Sequence, residues 1–307
     1  MMELSIEQLK SAFEQQGYIA DEEAVVTTYL ALKLQKPLLV EGPPGVGKTE
    51  IAKVLAGVFD TELIRLQCYE GLDENKALYE WNYQKQLIKI QLSQVNREDR
   101  RQAVEDNLFS EDYLLERPLL KAIRAEKTPV LLIDEVDKVD QEFEAFLFEV
   151  LSDFQVSIPE WGTLKSRQIP IVVLTSNGER ELSDGLKRRC VYLYLDFPNP
   201  AKELRIITAK VPEISRRLSL EVAKAVGYIR ERLELRKKPS IAETLDWARA
   251  LVALDADRLT PEVVDLTLNI IFKNKDDIDT FRQNLGPQEL VASAANGTGV
   301  GKPGGRG

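Results

Sequence analysis

Gly42, Gly47, Lys48 and Thr49 stand at the spacing G-x-x-x-x-G-K-T, inside the stretch Leu38-Leu39-Val40-Glu41-Gly42-Pro43-Pro44-Gly45-Val46-Gly47-Lys48-Thr49-Glu50. Glycines at such positions let the backbone bend until several N–H groups point at one anion, and the helix that follows adds positive potential. The chemistry this suits is the holding of a polyphosphate such as ATP. The backbone from Gly42 to Glu50 cradles it, Lys48 reaches the outer phosphates, and Thr49 offers its hydroxyl to Mg2+. An apolar run precedes the turn and Glu50 to Val58 has helical composition, so the motif lies between strand and helix, the context it requires.

Two carboxylates come next. Val130 to Ile133 is a continuous apolar run that ends in Asp134 and Glu135. Such a run suits a parallel strand covered on both faces, which would deliver both acids to the sheet edge beside the glycine-rich turn. There Asp134 holds Mg2+, largely through its water shell, and Glu135 polarises an attacking water. A second buried run, Ile171 to Ser176, ends at Asn177, whose amide can orient that water; standing alone, an asparagine after a strand is a turn former. Lys187, Arg188 and Arg189 gather three cations in an acidic chain. They read either as a solvated surface or as arginines that reach the nucleotide of a neighbouring subunit. Tyr18 and Ile19, an apolar pair ahead of the turn, suit either an adenine face or hinge packing.

The elements that must position these residues follow from length and pattern. With 307 residues the chain can bury a sizeable core in about two domains. A net charge of -9 speaks against broad nucleic-acid binding. The absence of histidine excludes His bases, Ser-His triads and His-containing zinc sites. Cys68 and Cys190 suit a reducing compartment and read as small buried hydrophobes. No basic leader opens the chain and no run approaches a membrane span, so a cytoplasmic location is expected.

The pattern predicts an α/β fold, a P-loop parallel sheet flanked by helices, over residues 1–198, followed by a smaller all-α domain over 199–285. Helices are expected over 5–16, 114–125, 140–151, 201–210, 212–235, 240–254, 261–272 and 276–285. The residues after Cys68 exceed one crossover, so an aromatic-rich insertion is expected over about 69–110. It carries Tyr69, Tyr79, Trp81 and Tyr83, for gripping a partner or packing on its own domain. A hairpin is expected over about 154–168 with Trp161 at its tip as a partner contact. Ser240-Ile241-Ala242-Glu243 reads as a capping box. Residues 286–307, rich in glycine and small residues, read as a disordered tail whose Gly299-Val300-Gly301-Lys302 is a false echo of the phosphate motif.

In this order, the phosphate loop, the Asp-Glu strand, the strand-end Asn177, the basic cluster and the trailing helices resemble the AAA+ ATPases. The hairpin resembles a pre-sensor-1 hairpin and the insertion a helix-2 insert, which together resemble the MoxR family. Cys68-Tyr69-Glu70-Gly71-Leu72-Asp73, Tyr79-Glu80-Trp81-Asn82-Tyr83, Phe148-Glu149-Val150-Leu151-Ser152-Asp153-Phe154, Leu186-Lys187-Arg188-Arg189-Cys190 and Pro239-Ser240-Ile241-Ala242-Glu243-Thr244-Leu245-Asp246-Trp247 are similar to its CoxD-like branch. The likeness covers most of the chain, from Gln15 to Leu285.

The resemblance implies a homo-oligomeric, hexameric ring with nucleotide at subunit interfaces, a partner carrying a von Willebrand factor A domain, and a metalloenzyme client. CoxD-like members are associated with maturing metal-containing enzymes such as carbon monoxide dehydrogenase. Asn177 becomes sensor 1 and Arg189 the arginine finger, with Arg188 as the second candidate. Many MoxR relatives carry Ser-Pro-Arg-Ala where this chain has Ser240-Ile241-Ala242-Glu243, so Ala242 replaces the sensor-2 arginine and Arg249 is the nearest substitute. The expected function is Mg2+-dependent ATP hydrolysis that drives chaperone-like remodelling or maturation of a client, in particular metal-centre assembly of a molybdenum-containing dehydrogenase. The alternative is a nucleotide-gated scaffold without productive hydrolysis. A small-molecule kinase fits less well, because Glu135 suits water activation.

Overall fold

The computed structural model describes residues 4–95, 113–158 and 162–295, and the chain divides into two compact units. Trp161 and Gly299–Lys302 lie outside the described residues, as does the charged run through Arg101. The first unit takes in residues up to Gln16, Ala20–Gly42 and Lys48–Tyr194; the second takes in Gly17–Ile19, Pro43–Gly47 and the chain from Leu195.

The first unit is built on a five-stranded sheet. In chain order its strands are β1 (Leu38–Glu41), β2 (Leu63–Gln67), β5 (Val130–Asp134), β8 (Ile171–Ser176) and β9 (Val191–Tyr194). Their spatial order is β2-β5-β8-β1-β9, and every neighbouring pair is parallel. The apolar runs explain this placement. Every residue of β5 and β8 is buried, the pattern of strands covered on both faces. Helix Lys48–Val58 packs on β5 and β8, and helix Pro118–Arg124 packs on β2 and β5. Parallel register brings the C-terminal ends of β5, β8 and β1 to one edge, so Asp134 ends one of three adjacent strands while Asn177 and Gly42 follow the other two.

Two small ribbons complete this unit. β3 (Tyr79–Trp81) pairs antiparallel with β4 (Leu114–Glu116), and β6 (Gln155–Ile158) pairs antiparallel with β7 (Gly162–Lys165) as a hairpin. In the insertion, Trp81 is buried and meets Tyr79 edge to face at 5.9 Å, whereas Tyr69 and Tyr83 are exposed. The sequence reading places one helix over 114–125; the structure puts a strand at Leu114–Glu116 and starts the helix at Pro118. Proline forces its predecessor out of the helical region, and Arg117 is accordingly extended at ψ 171°.

The second unit is helical from Pro200 to Ala295. Its core gathers Trp247, Phe272, Phe281, Val222 and Val226. The indole N–H of Trp247 donates to Thr267 Oγ1 at 2.8 Å, which removes the cost of burying it. The helix expected over 212–235 runs only from Arg216 to Arg232, because Ser215 caps it by accepting from the Leu218 N–H. The tail expected to be disordered from Gly286 instead begins with a helix, Gly286–Ala295. Leu290 and Ala294, four residues apart, bury completely or nearly so against helix 216–232, and that burial overrides the small-residue composition. Among the described residues no helix is long and apolar enough to cross a membrane.

Candidate functional site

In the first unit Lys48 is the centre of a compact polar cluster. It opens helix Lys48–Val58, is 6% exposed, and its Nζ donates to the Gly42 carbonyl at 2.7 Å and to Asn177 Oδ1 at 2.8 Å. Burial lowers the Lys48 pKa, and the carboxylates of Asp137, Asp134, Glu135 and Glu41 act against that shift. Lys48 and Asn177, 129 residues apart in sequence, therefore already share a hydrogen bond. Thr49 is half-buried beside Lys48, and Glu50 on the same first turn pairs with Lys53 of the next at 2.6 Å.

Asp134, which ends β5, and Glu135, which follows it, are held by residues whose roles the sequence pattern does not show. Thr175 of β8 is buried, donates to Asp134 Oδ1 at 2.5 Å and accepts from the Glu135 N–H at 2.9 Å. Arg65 of β2 pairs with the other Asp134 oxygen, and Gln67 donates to Glu135 Oε2 at 3.0 Å. Glu135 itself is left-handed, with φ 58°. A non-glycine residue in that region costs on the order of 1–2 kcal/mol, and here the Thr175 bond to its N–H fixes it. Its side chain also meets Lys138 at 3.4 Å, and that hydrogen bond raises the Lys138 pKa.

Asp137 is the further residue missed. It is 4% exposed, and one of its oxygens accepts the backbone N–H groups of both Asn177 and Glu179 at 3.0 Å. The turn that presents Asn177 to Lys48 is thus tied to the turn after Asp134. The signal was present as the third acid of Asp134-Glu135-Val136-Asp137, but only the parallel register shows what it faces.

Asp134 and Thr49 supply hard oxygen donors of the kind Mg2+ takes. Among the described residues no group of three or more His, Cys, Asp or Glu gathers to hold a metal alone. The donor set therefore fits an ion that brings water and phosphate oxygens with it. Asp134 would hold it through its shell and Thr49 through its hydroxyl, and the ion would supply charge neutralisation at the phosphates.

Arg188 and Arg189 end the short helix Asp184–Arg189. The Arg189 guanidinium carbon stands 3.4 Å from the centre of the Phe148 ring, and its Nε donates to Ser152 Oγ. Arg188 is exposed and makes no hydrogen bond or ion pair among the described residues. The start of this helix is anchored by Glu144, 1% exposed, which accepts from the Ser183 N–H and from Arg180 at 2.8 Å. Both cysteine thiols are pushed up to about 12 by burial, so neither is a ready nucleophile.

The second unit holds Pro43–Gly47 together with Gly17–Ile19. Gly45 and Gly47 have φ of 77° and 96°, conformations that suit glycine. The Tyr18 ring passes 3.8 Å from where a Cβ on Gly47 would stand, and Ile19 beside it is half-buried. Val46 is buried and Pro44 exposed. Ala242 lies on the first turn of helix Ile241–Ala253, while Arg249 further along pairs with Asp246 at 3.1 Å on an exposed face.

A parallel sheet with the strand order above, a glycine-rich loop between β1 and its helix, and paired acids after β5 define the AAA+ class of P-loop ATPase domain. Residues 37–190, half of the chain, match the AAA domain (dynein-related subfamily), and the chain belongs to that family. It is 28% identical over 149 residues to the chaperone protein ClpB of Bacillus cereus, across 48% of this chain and 14% of that protein. It is 24% identical over 260 residues to the gas vesicle ATPase GvpN of Haloferax mediterranei, across 80% of this chain and 71% of that one. RuvB of Thermotoga maritima superposes with a TM-score of 0.47 at 19% identity, across 87% of this chain and 70% of that structure. The chain thus spans a small part of the length of ClpB.

Proposed function

We propose that the chain hydrolyses ATP with Mg2+ and uses the cycle to remodel or mature a client protein. The observation that carries this reading is the hydrogen bond from Lys48 to Asn177 beside Asp134 and Glu135, a residue set that fits phosphate binding and water activation together. Gly42–Glu50 wrap the phosphates, and Lys48 binds their outer oxygens. Tyr18 and Ile19 lie against the adenine. Glu135 takes a proton from the attacking water while Asn177 orients that water. Arg188 and Arg189 serve the site of the next subunit in a homo-oligomeric ring, taken to be hexameric. Arg188 is the freer of the two and Arg189 is braced on Phe148.

Family membership and the likeness to a chaperone and to an ATPase support the remodelling half of the proposal. Within it, the motifs shared with CoxD-like MoxR proteins favour a von Willebrand factor A domain partner, a molybdenum-containing dehydrogenase as client, and a cytoplasmic site of action. The Glu135→Gln protein held in ATP should retain a precursor of that enzyme, while the Lys48→Ala protein should release it. Equal retention by both would sink the remodelling reading. The scaffold alternative draws on Ala242, which carries no charge where the resemblance expects an arginine, and it requires that wild-type protein show no turnover.

A further inference from the structure

The second unit contains a contact that sequence spacing does not foresee. A Cβ built on Gly45 would stand 2.2 Å from Ser240 Oγ and 2.6 Å from Ser240 Cβ, with the Ala242 Cβ at 3.9 Å. Real side chains do not approach so closely, so Ser240 occupies the space that any residue other than glycine would need. Gly45 is therefore glycine for two reasons, its φ of 77° and the serine packed against it.

Ser240 is itself immobilised. It caps helix Ile241–Ala253: its Oγ accepts from the Ala242 N–H at 3.2 Å and bonds the Glu243 carboxylate, which in turn accepts the Ser240 N–H at 2.9 Å. Lys237 Nζ approaches the same carboxylate at 3.2 Å. Behind the cap, buried Arg230 makes a two-pronged pair with fully buried Glu203, at 2.7 and 2.9 Å, and its Nε donates to the Pro239 carbonyl at 2.7 Å. Thr244 Oγ1 lies 2.7 Å from Glu203 Oε1 and 2.9 Å from the Ser240 carbonyl. The carbonyls of Pro239 and Ser240 are both fixed, so the serine cannot retreat without breaking a buried charged network.

We infer that Ser240 is a positioning residue for the phosphate loop, bracing Gly45 by shape rather than reaching the phosphates with a charge. The inference rests on the ATP reading for its consequence but not for its contact. Removing the brace should loosen the loop in ground and transition states alike, which raises KM and leaves kcat nearly unchanged.

A double-mutant cycle over Gly45→Ala and Ser240→Gly tests this. Glycine replaces serine at an N-cap at a cost of only about a few tenths of a kcal/mol, so the helix start survives. Ser240→Gly alone should weaken ATP binding by about threefold to tenfold with kcat within about twofold. Gly45→Ala should weaken it more than about tenfold in wild type but at least about fivefold less in the Ser240→Gly background, because the clash is gone. Equal effects of Gly45→Ala in both backgrounds would overturn the inference. The same cycle read on unfolding midpoints without nucleotide reports the contact independently, so a wild-type chain that bound no ATP would count against the ATP reading alone. If Gly45→Ala fails to fold by itself, the double variant must fold for the inference to stand. Ser240→Thr, which keeps the cap and enlarges the residue packed on Gly45, must weaken ATP binding.

Discussion

At the residue scale, the arrangement turns on one hydroxyl. Thr175 bridges the Asp134 carboxylate and the Glu135 N–H, so a single buried side chain orients both acids. Thr175→Val keeps the shape and β-branching but leaves a buried acceptor and a buried donor unpaired. A stability loss of about 1–3 kcal/mol is expected. Turnover should fall roughly tenfold if about 1.4 kcal/mol of that loss appears in the transition state. Chemical denaturation and steady-state kinetics measure the two effects, and an unchanged kcat would deny Thr175 its role in aligning Glu135. The motif residues Lys48, Asp134, Glu135 and Asn177 were legible in the sequence because each follows a recognisable strand or loop pattern. Thr175, Arg65, Gln67 and Asp137 were not, because their meaning depends on β2-β5-β8 adjacency and register, which no local spacing encodes.

At the scale of elements, the short helix Asp184–Arg189 is too brief to be stable alone, and Glu144 on the neighbouring helix Gln141–Asp153 anchors its start. Burial pushes the Glu144 carboxyl up, but the Ser183 hydrogen bonds and the Arg180 guanidinium outweigh it and hold the pKa below the usual value. A depressed carboxylate contributes stability that is present above the unfolded pKa, about 4.3 for glutamate, and lost as pH falls through the lower folded value. Glu144→Gln should therefore cost about 1–3 kcal/mol at neutral pH, and the gap to wild type should narrow as pH falls below the unfolded value and close once it has passed the lower folded one. Denaturation midpoints across that range give the answer, and a gap constant with pH would exclude the carboxylate charge as its source. The strands β1, β5 and β8 could be read from their apolar runs. The start of helix Pro118–Arg124 and the helix Gly286–Ala295 could not: the first is set by one proline, and the second by burial of Leu290 and Ala294 against a helix distant in sequence.

At the scale of the whole molecule, the chain divides into an α/β unit and a helical unit that takes in most of the chain from Leu195 together with two short earlier segments. The allocation of Pro43–Gly47 and Gly17–Ile19 to the second unit was beyond the pattern, since it depends on packing such as that of Ser240 on Gly45. The family is established for residues 37–190, and the proposed activity asks those residues to bind ATP and to activate water through separate side chains. The turnover of Glu135→Gln, measured beside its ATP affinity, shows whether the two roles are separate. Glu135→Gln should bind ATP within about threefold of wild type while turnover falls at least about a hundredfold, the range of a lost general base, and Lys48→Ala should lose tight binding. Normal ATP hydrolysis by Glu135→Gln would contradict that separation.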